Sequence, residues 1–154
     1  MELIDFEEND FLNLYDFMSP IWHETYGNIL PKAQIDFLLN KYFSTAALEY
    51  YRAQGYQYKK IDDVGVLVFV EREKDVYLDK LYLTPSVRGK NYPAFVFAWL
   101  QRLGKDITLN VNQSNERAVR CYLKNGFVIL SKTDIDLGDG MVNCDYVMQK
   151  RALS

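Results

Sequence analysis

Two cationic side chains flank a glycine at the point where a predicted strand gives way to a helix. Arg88, Gly89 and Lys90 follow the strand that ends at Leu83, and a strongly apolar helical segment comes next. The first amides of a helix have no partner within the helix, and the helix dipole favours an anion at that end. The loop therefore suits a phosphate or pyrophosphate group. A surface turn without a ligand is the alternative, because an Arg-Gly-Lys turn alone is a weak signal.

A second strand, loop and helix carry an amide and a phenol on one helical face. The strand Ile107–Val111 precedes a helix predicted over Asn115–Asn125, and Gly126 suits the left-handed position that ends it. Asn115 and Tyr122 are seven residues apart, which is two helical turns, so both face the same side. From these residues alone, Asn115 is a helix cap and Tyr122 a packing residue, or both point at a ligand beside the strand.

The hydrophobic periodicity predicts an α+β fold around a mixed sheet. A first strand at residues 2–6 is followed by helical segments, with a break expected at Pro20. Three strands of an antiparallel meander follow at 56–62, 64–70 and 76–83. A helix at 92–103 leads to a strand at 107–111 that is parallel to the last strand of the meander. A second helix at 115–125 and a closing hairpin, with strands at 127–132 and 141–149, complete the fold. The helix at 92–103 is apolar on nearly every side, which predicts burial on both of its faces.

Composition indicates one compact domain over residues 1–154, because hydrophobic residues at 49% and charged residues at 25% fit a single core without a linker. A net charge of -3 argues against a nucleic-acid partner.

No apolar stretch reaches the roughly 20 residues that span a bilayer, and no secretory signal is evident, so we expect a cytoplasmic protein. Cys121 and Cys144 form no metal-ligand spacing with other residues, so we expect no metal.

The two segments together resemble the GNAT superfamily of N-acetyltransferases. The shared pattern is Leu83-Thr84-Pro85, then Arg88-Gly89-Lys90, then Asn115-x-x-Ala118-x-x-x-Tyr122-x-x-x-Gly126-Phe127. The resemblance covers the chain from about Val64 to Val147. It implies the acyl-CoA N-acyltransferase fold, a mixed central sheet with an antiparallel meander, a βαβ unit and flanking helices. It also implies acetyl-CoA as co-substrate.

The resemblance further implies which residues bind the cofactor. The backbone of a splayed strand, here at Leu81 and Leu83, pairs with the pantetheine arm. The helix Asn, here Asn115, contacts the pantetheine side, and we add Lys124 in the same helix as a further cofactor-binding cation. The amides of the loop bind the pyrophosphate, and the loop comprises Arg88, Gly89, Lys90, Asn91, Tyr92 and Pro93.

Two loop residues depart from the family pattern. Asn91 stands where the family usually has Gly, but Asn tolerates a positive φ better than most residues, so the loop shape is expected to persist. Pro93 stands where the family has Gly or Ala and removes one N–H donor. A lost hydrogen bond of this kind costs about 0.5–1.5 kcal/mol, which predicts weakened cofactor binding that Arg88 and Lys90 can offset.

The implied reaction is direct acetyl transfer to a primary amine of a small molecule or peptide. Tyr122 acts as general acid on the departing thiolate, and Asp79 is a candidate base. A solvated strand carboxylate, with proton removal through ordered water, is the alternative for Asp79. Candidate walls of the acceptor pocket are Trp22, Tyr26 and Tyr50, although ordinary core packing is the favoured explanation of these three residues.

Two other functions stay open at this point. One is a coenzyme A-binding sensor or partner protein with weakened catalysis, suggested by Asn91 and Pro93, and the other is an interaction domain that never binds the cofactor. A homodimer through an exposed edge strand or the last hairpin is also possible.

Overall fold

A computed structural model of the chain describes residues 1–153, which form two compact units. The first unit comprises Met1–Asp5 and the chain from Gln57 onwards, and the second comprises Phe6–Tyr56. The expectation of a single domain over residues 1–154 stays a prediction.

The second unit consists of three helices: α1 (Glu8–Tyr26), α2 (Lys32–Phe43) and α3 (Thr45–Ala53). Ser44 begins the third of these, because its hydroxyl accepts a hydrogen bond from the Ala47 amide at 3.2 Å. The mostly helical character expected for the first third of the chain is therefore confirmed.

The expected break at Pro20 is wrong, because α1 runs through this proline. Leu14, Met18 and Trp22 are buried at intervals of four residues on both sides of Pro20, so one apolar face continues across it. Burial of this face offsets the hydrogen bond that the proline cannot make, whereas sequence reasoning weighed only the proline.

The first unit is built on a seven-stranded sheet. Its strands are β1 (Leu3–Asp5), β2 (Gln57–Ile61), β3 (Gly65–Glu71), β4 (Asp75–Leu83), β5 (Asp106–Asn112), β6 (Val128–Gly138) and β7 (Met141–Lys150). They lie in the order β1-β2-β3-β4-β5-β7-β6, and every neighbouring pair is antiparallel except β4 and β5, which are parallel. The mixed sheet with a meander, one βαβ unit and a closing hairpin is thus confirmed.

Two helices, α4 (Tyr92–Gln101) and α5 (Glu116–Lys124), pack against one face of this sheet. Phe97 of α4 joins the core together with Ile107 and Leu109 of β5, and Tyr122 of α5 packs against that same core. The rings of Phe97 and Tyr122 lie 5.9 Å apart, so the two helices are neighbours.

The expected burial of α4 on both faces is wrong. Its buried residues are Val96, Phe97 and Leu100, while Ala94, Phe95 and Ala98 are exposed. The helix covers the sheet with one face only, so its apolar composition leaves Phe95 44% exposed.

The sheet ends at β6, whose outer edge has no strand partner among residues 1–153. Val128, Ile129 and Leu130 are exposed on this edge strand. A homodimer through this strand stays a prediction.

Residues 1–153 lack two kinds of feature. No helix there is long and apolar enough to cross a membrane. No three His, Cys, Asp or Glu side chains in the same residues are grouped so that they could hold a metal ion.

The carboxylate of Asp75, the first residue of β4, joins this strand to Thr108 of β5, and it makes the stability of the fold sensitive to acid. Asp75 accepts hydrogen bonds from the Arg72 guanidinium at 2.6 Å and from the Thr108 hydroxyl at 2.8 Å. The Arg72 hydrogen bond is the main cause that lowers the pKa of Asp75 below 3.8. A lowered pKa in the folded state stabilises the fold above pH 3.8 and loses that contribution as the pH falls through the folded value.

We therefore expect Asp75→Asn to lower the free energy of unfolding by roughly 1 kcal/mol at neutral pH. The difference from the unsubstituted chain should shrink as the pH falls below 4. Urea unfolding between pH 3 and pH 7 measures it. Asp63→Asn, at an exposed turn position, is the matched control and should have no such effect. A deficit of Asp75→Asn that stays constant with pH would contradict the account.

Candidate functional site

The parallel strands β4 and β5 separate part-way along their length. They pair from Asp75 with Asp106 to Leu78 with Leu109, and beyond that point neither strand pairs with the other. β4 nevertheless continues to Leu83, paired with β3 on its other side. A gap therefore opens between two strands in the middle of the sheet.

A β-bulge lies where this gap begins. Val68 of β3 faces Lys80 and Phe69 faces Leu78, so Asp79 is the extra residue on β4. A bulge bends its strand and increases the local twist. The separation of β4 from β5 follows from this irregularity.

The main chain of β4 beyond the bulge presents hydrogen-bonding groups to the gap. The Thr84 amide donates to the Val64 carbonyl at 2.8 Å, which fixes the side of the strand that faces β3. Because hydrogen-bonded and non-hydrogen-bonded positions alternate in an antiparallel pair, the main-chain groups of Leu81 and Leu83 point away from β3. They face the gap, where the extended arm of a ligand could pair with them.

The loop after β4 has a glycine and an asparagine in the left-handed region. Pro85–Val87 form a short 3₁₀ turn, with Val87 buried beneath the loop. Gly89 then has φ = 79° and Asn91 has φ = 62°. The expectation that Asn91 keeps the positive φ of the family glycine is confirmed, and Asn91 also directly precedes α4.

Several loop amides are available to a ligand. The amides of Gly89, Asn91, Tyr92 and Ala94 donate to no group within residues 1–153. Pro93 carries no N–H, so it interrupts this set. Four donors without a partner in that range, at the start of a helix, suit an anion, and the binding of a phosphate group here stays a prediction.

The charges around these amides favour an anion. Arg88 and Lys90 are exposed, and neither forms an ion pair within the part of the chain described here. The Tyr92 hydroxyl donates to Asp62 at 3.4 Å, so Tyr92 offers its amide rather than its side chain. Burial, followed by the charge of Asp62, raises the pKa of Tyr92 and keeps it protonated.

An open depression of about 530 Å³ adjoins this loop. It is lined by Met1, Lys90, Asn91, Tyr92, Ala94 and Phe95. Phe95 was missed by sequence reasoning, because the apolar pattern of α4 assigned it to the core. The sequence signal that could have identified Phe95 is its position in the first turn after a cationic loop. Its exposed ring could stack on a planar group of a ligand.

The helix α5 positions the amide and the phenol. The Asn115 side chain caps α5 by accepting from the Ala118 amide at 3.4 Å. The Tyr122 ring packs against Phe97 at 5.9 Å and Phe127 at 5.4 Å. The cap and packing roles are therefore both present, and the ligand-binding role of Asn115 stays a prediction.

Lys124 lies away from the loop formed by Arg88 to Pro93. It lies in the last turn of α5, next to Asn125, whose carbonyl accepts a hydrogen bond from Lys150. Lys150 pairs with Ile107 at the start of β5, whereas Arg88 and Lys90 follow the far end of β4. A role for Lys124 in cofactor binding stays a prediction.

Known proteins with sequence similarity are N-acetyltransferases, although no family model matches the chain. Over 60 residues the chain is 32% identical to the peptidyl-lysine N-acetyltransferase YjaB of Escherichia coli, covering 39% of this chain and 41% of that protein. Over 81 residues it is 38% identical to an uncharacterized N-acetyltransferase of Mycobacterium tuberculosis, covering 49% of this chain and 51% of that protein. The chain thus spans about half the length of the curated relatives it matches.

The fold matches along almost the whole chain. The crystal structure of PaiA N-acetyltransferase from Thermoplasma acidophilum in complex with coenzyme A aligns with a TM-score of 0.72 at 21% identity, covering 97% of this chain and 98% of that chain. The chain has the GNAT acyl-CoA N-acyltransferase fold. In the sequence pattern described above, β4 corresponds to the splayed strand, the segment from Arg88 to Pro93 to the loop, and α5 to the helix with the Asn and Tyr.

The left-handed glycine of the loop after β4 can be tested directly. A Cβ on Gly89 would meet nothing within 4 Å, so Gly89→Ala introduces backbone strain without a clash. Left-handed backbone costs a non-glycine residue about 1–2 kcal/mol, and relaxing it would turn the neighbouring amides away. We expect roughly tenfold weaker binding of coenzyme A by calorimetry.

Gly140 is the matched control, because it has φ = 78° and the same open surroundings in the β6–β7 turn. Gly140→Ala should lose a similar amount of stability and keep its affinity for coenzyme A. Equal affinities of the two variants would show that the loop backbone does not hold the ligand.

Proposed function

We propose that the chain is an N-acetyltransferase that transfers the acetyl group of acetyl-CoA to a primary amine. The observation that carries this proposal is the gap between β4 and β5, with the main chain of Leu81 and Leu83 facing it. The loop directly after this strand has four amides that donate to no group, and two cations that form no ion pair, within residues 1–153.

The residues present suit the two ends of acetyl-CoA. The free amides of the loop, with Arg88 and Lys90, would hold the pyrophosphate. The main-chain groups of Leu81 and Leu83 would pair with the pantetheine arm as a neighbouring strand does. Acetyl-CoA supplies the activated thioester, and the chain supplies position, polarisation and proton transfer.

Three groups of the chain would act on the reaction. The amide of Leu81 would polarise the thioester carbonyl, since it points into the gap. Tyr122 would give its proton to the departing thiolate. Asp79 is a candidate base, and its carboxylate accepts a hydrogen bond from the Lys80 ammonium at 2.8 Å.

The acceptor is proposed to be an amine of a peptide or small molecule. A relative with sequence similarity is named a peptidyl-lysine N-acetyltransferase, which makes the lysine side chain the first acceptor class to test. The net charge of -3 favours a cationic acceptor.

Transfer of label from [¹⁴C]acetyl-CoA to a panel of lysine peptides, polyamines and amino acids tests the function. Label is the better readout, because the exposed Cys144 would react with thiol reagents and raise the background. Acetylated amine is expected with the unsubstituted chain. Binding of coenzyme A without transfer to any acceptor would instead support a sensor, a function that the missing Pro93 amide favours.

A further inference from the structure

The outer edge of the sheet, at β6, combines a short regular stretch of strand with an exposed apolar run. Pairing with β7 is regular from Ser131 to Asp136, which we call the edge segment, and register shifts lie at Leu130 and Leu137 on either side of it. The run Val128–Leu130, just before the edge segment, has side chains that are between 42% and 55% exposed. Consecutive exposed apolar residues on an unpaired edge strand are typical of a surface that a partner covers.

The main chain of the edge segment presents hydrogen-bonding groups to the outside. The Gln113 amide donates to the Cys144 carbonyl at 2.9 Å, so the main chain of Cys144 is directed away from β6. Asp134 lies opposite Cys144 and forms a non-hydrogen-bonded pair with it, so the main-chain groups of Asp134 face outward. Lys132, two residues earlier, faces the same way. Another strand could pair with these groups.

The side chains of Lys132 and Asp134 carry opposite charges on one face of this edge. Lys132 lies opposite Tyr146, which packs against the core beneath α4 and α5, so both side chains are on that face. Both are exposed, and neither forms an ion pair within the described part of the chain. The Asp134 carboxylate accepts a hydrogen bond from the Cys144 thiol. One cation and one anion are thus available to an added strand.

We propose that β6 pairs antiparallel with β6 of a second copy of this chain, about a two-fold axis at Thr133. In this register Lys132 of each copy lies opposite Asp134 of the other, so two pairs of opposite charge form. Because the main chains of both residues face outward, each pair also exchanges two hydrogen bonds. The sheets of the two copies continue into each other, and this interface does not depend on the proposed acetyltransferase function.

Symmetry and charge leave this register as the favourable one. A two-fold axis perpendicular to the sheet keeps every side chain on its own face, so the axis passes between a residue and its own copy. An axis at Lys132 would place two ammonium groups opposite each other, and an axis at Asp134 would place two carboxylates there. Like charges directly opposite destabilise a strand pair. An axis nearer either end of the edge segment would run the pairing through a register shift.

The same register covers part of the apolar run. Val128–Leu130 of each copy would lie beside residues 136–138 of the other, and Ile135 would lie opposite Ser131. Covering Leu130 and Ile135, which are 54% and 37% exposed, adds hydrophobic stabilisation to the main-chain hydrogen bonds. A single strand pair is a small interface, so we expect a reversible dimer.

Sedimentation velocity over a concentration series tests the proposal. The unsubstituted chain should pass from monomer to dimer as its concentration rises. Lys132→Glu places two carboxylates opposite each other twice, and Asp134→Lys does the same with two ammonium groups. Each variant should weaken dimerisation roughly tenfold or more. Lys74→Glu, at an exposed position in the β3–β4 turn, is the matched control and should dimerise like wild type.

Mixing the two variants separates a lost interface from a misfolded chain. The Lys132→Glu copy is acidic at both positions and the Asp134→Lys copy is basic at both, so an equimolar mixture should form heterodimers. The chain that carries both substitutions should regain the homodimer, because the pairs form with their charges exchanged. Neither recovery is possible for chains that fail to fold.

Hydrogen exchange locates the interface. The amides of Lys132 and Asp134 should exchange more slowly when the chain is concentrated enough to dimerise, because both gain a partner. The Thr133 amide faces β7 and should exchange at the same rate in monomer and dimer.

Several results would overturn the interface. These are a chain that stays monomeric at every concentration, a dimer that neither charge substitution weakens, and a mixture that forms no heterodimer. Unchanged exchange of Lys132 and Asp134 in a dimeric sample would place the contact elsewhere. No readout depends on acetyl transfer, so any of these failures would leave the proposed function unaffected.

Discussion

Replacing Tyr122 by Phe should lower the turnover number by about 100-fold or more and change the affinity for coenzyme A by no more than about twofold. The phenylalanine ring keeps the contacts with Phe97 and Phe127, so the fold persists while the proton donor is lost. Label transfer at saturating acetyl-CoA measures turnover, and calorimetry measures affinity.

Tyr146 provides the matched control for this substitution. It is half-buried, packs against the same core as Tyr122 and lies on β7, so Tyr146→Phe removes a hydroxyl from the same cluster. Turnover of Tyr146→Phe should match wild type. Unchanged turnover in Tyr122→Phe would remove this residue from the chemistry.

Reversing both loop charges, Arg88→Glu with Lys90→Glu, should weaken coenzyme A binding by roughly 100-fold or more. The phosphates would lose two charge-assisted contacts and meet two like charges in their place. Fold stability should be close to wild type, because both side chains are exposed and form no ion pair within residues 1–153. Calorimetry at two salt concentrations should show the loss shrinking as salt rises.

Net charge requires its own control, because the double variant lowers the net charge by four. Lys74→Glu with Arg151→Glu makes the same change at exposed positions, in the β3–β4 turn and after β7. This control should bind coenzyme A nearly as well as wild type. Equal losses in both double variants would mean that net charge, and not the loop, governs affinity.

Local patterns were enough to predict the elements that surround the gap. Asn115 as a cap and Gly126 as the left-handed stop defined α5, because these effects depend on neighbouring residues only. The positive φ of Asn91 followed from the intrinsic tolerance of asparagine. Pro20 shows the limit of local rules. It lies inside α1, where packing of the apolar face of the helix outweighs the tendency of proline to break a helix.

Features that depend on strand pairing could not be read from the sequence. The bulge at Asp79 exists only in the register between β3 and β4, so the ion pair with Lys80 was not foreseen. The burial of Asp145 likewise could not be foreseen, because it depends on β7 lying between β5 and β6, which places Asp145 opposite Asn112. The exposure of Phe95 likewise depends on which face of α4 meets the sheet.

Titrating the ¹⁵N-labelled chain with coenzyme A tests the central claim most directly, because each amide reports its own surroundings. The account predicts that the largest shifts in amide resonances fall on Leu81 and Leu83 in the gap and on Gly89, Asn91 and Ala94 in the loop. Shifts confined to other parts of the chain, or none at saturating coenzyme A, would contradict it.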